Sequence, residues 1–146
     1  MRFIVAFSSP KRSAKTVEVA AQHAKALGAE LILLRVIPDP EKVGVVAQLI
    51  ATDRPVEKAQ EQVDEVALTL KDLGISATGM VKVGEVAPGI IKMSQELHAD
   101  LIFLGTTNLA KKPFFLMEKD PIVHYLVDHC PLPLFLVRHD VTADAE

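Results

Sequence analysis

The stretch MRFIVAFSSPKRSAKTVEVAAQHAKALGAELILLRVI, residues 1–37, holds one complete strand–helix–strand unit. Phe3-Ile4-Val5-Ala6-Phe7 is a continuous apolar run, the pattern of a strand covered on both faces. Ser8-Ser9-Pro10 breaks it. From about Ser13 the residues Val17, Ala20, Ala21, Ala24 and Leu27 recur at helical spacing, and Gly28 suits a left-handed C-cap. Leu31 to Ile37 is a second run of the buried kind, stopped by Pro38-Asp39-Pro40. Two doubly covered strands joined by a helix form a parallel pair with a right-handed crossover.

The same alternation continues along the chain. Residues 41–54 fit either a short helix or a mobile insert. Val56, Ala59, Val63, Val66, Leu70 and Leu73 mark a long amphipathic helix ending at Gly74. Ser76 to Val81 alternates weakly, as a strand at the sheet edge does. Val86 to Leu97 is a further helix, with Pro88 tolerated in its first turn. Leu101 to Leu104 is the fourth strand. Asp120-Pro121 reads as an N-cap followed by proline at the first helical position. Leu134 to Val137 is the fifth strand. The order predicts an α/β domain over residues 1–140, a parallel sheet with helices on both faces, and a frayed acidic tail over 141–146. Ligands of such sheets bind beyond the carboxyl ends of the strands. Here that end carries the loops 8–12, 37–43, 83–85 and 105–120.

Composition narrows the function classes. The chain has 146 residues and 49% apolar content, enough for one domain with a real core. A formal net charge of −3 argues against nucleic-acid binding through bulk charge. No apolar run reaches the roughly 18 residues that span a bilayer, and MRFIVAF reads as a strand rather than a signal peptide. The single cysteine, Cys130, fits a reducing cytosol, so a cytoplasmic location is expected. Phosphate-loop and dinucleotide-binding patterns are absent. Ser8 and Ser9 have no evident His-Asp partners. His124 and His129 are five apart and do not share a helix face, so no metal site is expected there. His23 and His98 read as surface or helix-end residues. Nothing in the pattern assembles a catalytic centre, and a non-catalytic role is the expectation.

Four segments together carry a resemblance: Ala99-Asp100-Leu101-Ile102-Phe103-Leu104-Gly105, Val83-Gly84-Glu85, Leu31–Ile37 after Gly28-Ala29-Glu30, and Cys130-Pro131-Leu132-Pro133 leading into Leu134–Arg138. In this order and spacing the chain resembles the universal stress protein family, within the adenine-nucleotide α-hydrolase-like superfamily. The resemblance implies a five-stranded parallel sheet of order 3-2-1-4-5. It also implies a homodimer formed along the last strand, here Leu134, Phe135, Leu136 and Val137. Some members of the family bind ATP and others do not. The ATP-binding members share G-x2-G-x9-G-[ST] after the fourth strand and an Asp at the end of the first. Carried over, only Gly105 matches. Asn108 stands at the second Gly, Asp120-Pro121 falls near the Gly-[ST] pair but two residues late, and Ser8 replaces the Asp. The crevice that the resemblance implies is bounded by Ala6, Ser8, Ile37, Val83, Gly84, Gly105, Asn108, Asp120 and Pro121.

The chemistry of these replacements matters for phosphate. Asn108 tolerates a left-handed backbone. Asp120 places a carboxylate on the N–H groups that a phosphate would use, and Pro121 removes another donor. Lys11, Arg12, Lys111, Lys112 and Lys119 either compensate by holding an anion through side chains or are ordinary solvated charge. Phe114, Phe115, Leu116 and Met117 are too apolar to be all exposed. They either plug the crevice or form a partner patch. Two readings stand. One is a stress-response or regulatory module that does not hold ATP in the usual way and has no resident cofactor. The other is an ATP- or AMP-binding sensor, or a slow ATPase, with a rebuilt loop.

Overall fold

In the computed structural model the described residues are 1–39, 55–107 and 120–139. The expectations for residues 41–54, for Asn108, Lys111, Lys112, Phe114, Phe115, Leu116, Met117 and Lys119, and for the tail 141–146 lie outside them. Five strands, β1 (Arg2–Ala6), β2 (Glu30–Ile37), β3 (Ala77–Val83), β4 (Leu101–Thr107) and β5 (Leu134–His139), form one sheet of order β3-β2-β1-β4-β5. Every neighbouring pair is parallel. The helices are α1 (Ala14–Leu27), α2 (Pro55–Asp72), α3 (Val86–Glu96) and α4 (Pro121–His129). The architecture and strand order are those expected.

Strand alternation divides the core in two. Phe3, Val5, Leu31, Leu33 and Phe103 face α1 and α2, where Val17, Ala20, Val63 and Leu70 meet them. Ile4, Ile32, Leu34, Val36, Ile102 and Leu104 face the other side, against Ile90 of α3 and Leu126 of α4. Each fully buried Phe or Leu contributes about 1.5–3 kcal/mol through removal from water. Phe103 is the hub of the first face. Its ring centroid lies 5.5 Å from Phe3 and 4.9 Å from Phe135, the latter stacked.

His23 corrects the sequence reading. It is half-buried, not a surface residue: its ring sits 4.9 Å from Phe135 and 5.7 Å from Phe103, and Nδ1 lies 2.8 Å from the Val19 carbonyl. The helix face that carries Ala20 and Ala24 is broad enough to bring position 23 over the β4–β5 pair. His98, by contrast, is exposed and ends α3 in a left-handed conformation, φ 53°.

The amino-terminal edge of the sheet is clamped by polar groups. The Arg2 backbone N–H donates to Asp100 Oδ2 at 2.8 Å, and its guanidinium reaches Glu30 at 2.9 Å and the Leu97 carbonyl. On β3, Gly79 lets α2 come close. A Cβ there would stand 2.7 Å from Val63 Cγ2 and 2.9 Å from the Val63 backbone carbon.

Candidate functional site

β4 runs through Gly105 to Thr107, with Gly105 paired to Val137, so the first residues after the apolar run belong to the sheet and not to a loop. Beyond the carboxyl ends of β1 and β4 lies a cavity of about 480 Å³. It occupies the switch point, where α1 leaves one face of the sheet and α4 covers the other. The size suits a small-molecule site.

Ala6, Ser8, Lys11, Arg12, Gly105 and Asp120 line this cavity together. Ile37, Val83, Gly84 and Pro121 do not line it. Alternation explains the first two: Leu34 and Val36 face the cavity side of β2, so Ile37 points to the opposite face, and Val83 pairs with Ile37 in register. Val83 is 47% exposed. The apolar walls come from Leu34 and Val36 of β2, Val86 and Ile90 of α3, Leu104 of β4, and Ile122 and Val123 of α4. Leu34, Val36 and Leu104 read in the sequence only as parts of buried apolar runs.

Two further lining residues went unnoticed in the sequence: Ser13 and Thr16. The turn from β1 into α1 is held by its own hydroxyls. The Ser8 N–H donates to Ser13 Oγ at 2.9 Å, and the two hydroxyls are 3.2 Å apart. The Arg12 N–H donates to Ser9 Oγ at 3.1 Å, and the Ser13 N–H to the Ser9 carbonyl at 2.9 Å. Ser13 is thereby turned back toward β1. It precedes α1 at the N-cap position but makes no side-chain cap. Thr16, in the first turn of α1, is 1% exposed, and its Oγ1 has no hydrogen-bond partner among the described residues. A polar side chain in a first helical turn reads as solvated surface, so the sequence offered no signal for it.

The opposite wall behaves differently. Asp120 is the N-cap of α4, with Pro121 following it. Its Oδ1 accepts from the Ile122 N–H at 3.0 Å and the Val123 N–H at 3.3 Å. With no N–H on Pro121, the next two N–H groups of this helix start are thus taken by the chain itself. Further along α4, His124 and Asp128 approach to 3.4 Å and the Tyr125 ring stacks on His129 at 4.2 Å, neither pair lining the cavity. Cys130 is half-buried at the end of this helix. Among the described residues no group of three or more His, Cys, Asp or Glu is placed to hold a metal, and no helix is long and apolar enough to cross a membrane.

A parallel sheet of order 3-2-1-4-5 with a ligand-sized cavity at its switch point defines a doubly wound α/β protein. The universal stress protein family model matches residues 1–138, and the chain belongs to that family. Solved structures share the fold. Universal stress protein UspA from Lactobacillus plantarum has a TM-score of 0.72 at 19% identity, covering 94% of this chain and 97% of that one. A universal stress protein from Archaeoglobus fulgidus, solved in complex with dAMP, has a TM-score of 0.64 at 15% identity and covers 93% and 96%. A family protein from Arabidopsis thaliana with AMP bound has a TM-score of 0.68 at 10% identity and covers 98% and 94%. No curated protein matches the sequence.

Proposed function

We propose that the protein is a non-catalytic regulatory module of the stress-response type whose cavity does not hold ATP in the way of the family's ATP-binding members. The observation that carries this reading is the Asp120 carboxylate on the first N–H groups of α4. A polyphosphate seated there would have to displace an internal acceptor and lie beside a negative charge. Ser8 in place of an acidic residue at the end of β1 points the same way. Calorimetric titration with ATP is the test. A ligand present at 100 times its dissociation constant adds about 2.7 kcal/mol to folding stability. A melting temperature unmoved by millimolar ATP is the expected result, and low-micromolar ATP binding would sink the proposal.

A second reading is an adenine-nucleotide sensor. It is favoured by the cavity itself, where Lys11 and Arg12 stand at the rim of apolar walls, and by the relatives solved with AMP and dAMP. A monophosphate asks less of the α4 terminus than a triphosphate does. We also propose a homodimer through β5. That strand is a sheet edge, and Leu136 on it is 46% exposed. A free apolar edge favours pairing with a second chain.

A further inference from the structure

We propose that the furrow between α1 and α2, on the face of the sheet away from α3 and α4, binds a single aliphatic chain that ends in a carboxylate. The site is separate from the crevice described above, and the inference does not depend on what that crevice holds.

Two helices on one face of a sheet ordinarily close over it and on each other, because interiors pack without voids. Here they part. α1 is seated on β1, β2, β4 and β5, whereas α2 is seated on β2 and β3. Gly79 draws α2 toward the edge strand, since its missing Cβ lets Val63 lie against β3. The furrow left between the helices has a volume of about 490 Å³. Its floor is Phe7, Val17, Ala21, Leu70 and Ile75, all buried. Leu73, just past the end of α2, is 59% exposed on its wall.

Size selects an extended chain over a helix. α1 lines the furrow from Ala14 to Lys25, about 16 Å at 1.5 Å per residue. The volume spread over that length gives a cross-section of about 30 Å². A helix about 10 Å across needs roughly 80 Å². An extended peptide is narrow enough, but its N–H and C=O groups would go largely unpaired. The polar residues of the described lining are Glu18, Gln22, Lys25 and Thr69, and the Thr69 hydroxyl already donates to the Glu65 carbonyl at 3.1 Å. A hydrocarbon chain asks for no such partners.

Charge selects the head group. Among the described lining residues only Glu18 and Lys25 are charged. Glu18 Oε2 lies 3.8 Å from Lys15 Nζ, so its charge is answered within α1. Lys25, in the last turn of α1, has no ion-pair partner among the described residues. Its ammonium is the uncompensated charge on the wall, and an anion complements it. A carboxylate held there leaves the chain to run along the apolar floor toward Phe7 and Pro10.

Full-length protein labelled with nitrogen-15 is titrated with decanoate, decanol and decyltrimethylammonium, each below the concentration at which it aggregates. Decanoate should bind at least about fivefold more tightly than decyltrimethylammonium, with amide shifts centred on Ala14 to Lys25 and Val66 to Leu73. Lys25→Gln should weaken decanoate about threefold and leave decanol unchanged, and Lys25→Arg should keep the original affinity. Ala14→Phe fills the furrow and should abolish binding of decanoate and decanol alike. Lys25 and Ala14 are exposed, so these variants fold. No saturable binding of decanoate at millimolar concentration overturns the site, as do shifts centred on the crevice residues Leu104, Ile122 and Val123. Equal affinity for the anionic and cationic amphiphiles, or a Lys25→Gln protein that binds decanoate unchanged, overturns the inference through its head group. Furrow shifts that grow with protein concentration in the absence of any amphiphile would assign the furrow to a second copy of the chain and overturn it as well.

Discussion

Removing the Asp120 carboxylate tests the closed wall of the crevice in two opposite senses. In Asp120→Ala the N–H groups of Ile122 and Val123, held at 3.0 and 3.3 Å, lose their acceptor. Loss of an N-cap of this kind costs about 1 kcal/mol, within a range of roughly 0.5–2. For a chain of this length that lowers the melting temperature by about 3 °C. Asp120→Gly should cost only a few tenths of a kcal/mol, because glycine leaves the N–H groups open to water. Asp120→Asn keeps the acceptor and loses the charge. The effect on ATP runs the other way. A unit charge about 5 Å from the carboxylate at an effective dielectric near 20 is opposed by roughly 3 kcal/mol. That exceeds the cost of the lost cap, so Asp120→Gly should bind ATP more tightly than the unmodified protein while melting slightly lower. Scanning calorimetry and isothermal titration on the same three variants read both quantities. An Asp120→Ala protein that melts with the unmodified one refutes the cap. A glycine variant with unchanged ATP affinity refutes the claim that the carboxylate is what closes α4.

Ser94 is 0% exposed in the last turn of α3 and its Oγ has no hydrogen-bond partner among the described residues, so Ser94→Ala should stabilise the fold by about 1 kcal/mol; a lower midpoint in urea would show a hidden partner. Gly79→Ala should destabilise by about 1–3 kcal/mol, because the new methyl meets the Val63 backbone at 2.9 Å and β3 or α2 must give way; an unchanged melting curve would mean the edge strand yields freely. Leu136→Lys places a charge on an exposed position of β5 and should shift the sedimentation profile from dimer to monomer without lowering the melting point of the monomer. A variant that sediments as the unmodified protein does would remove β5 from the interface.

The order of elements was legible because each buried strand announces itself as an unbroken apolar run, and each helix by its 3.6-residue recurrence. The start of α4 was legible to the residue, since Asp followed by Pro can serve few other purposes. Strand ends were not. Gly105-Thr106-Thr107 carry no apolar signal, and they are strand because β5 offers Val137, Arg138 and His139 as partners. β3 likewise extends to Val83 because Ile37 stands beside it. For the cavity, residues at the tips of β1 and β4 could be named from topology alone. The side chains that build its walls could not, since Leu34, Val36 and Ile90 look identical to core. His23 was misjudged and Thr16 passed over for one reason: polarity suggested solvent, while the helix face they occupy is turned inward by packing that no local pattern records.

The central position of β1 has a consequence for how the chain is made. Phe3 pairs on one side with Leu31 and on the other with Leu101, and Arg2 bonds a carboxylate 98 residues further on. Synthesis proceeds at about 5–20 residues per second. β1 therefore waits roughly 5–20 seconds for its second neighbour. During that interval β1 and β2, with α1 packed on one side, present an open ladder of N–H and C=O groups and the uncovered Ile4 and Ile32. Closing so distant a contact is slow even for the finished chain. The nascent protein thus passes through a half-sheet whose bare edge is the one later occupied by β4, and a second nascent copy offers that edge the same β4 sequence. An unpaired edge of this kind is open to pairing with another chain until β4 arrives.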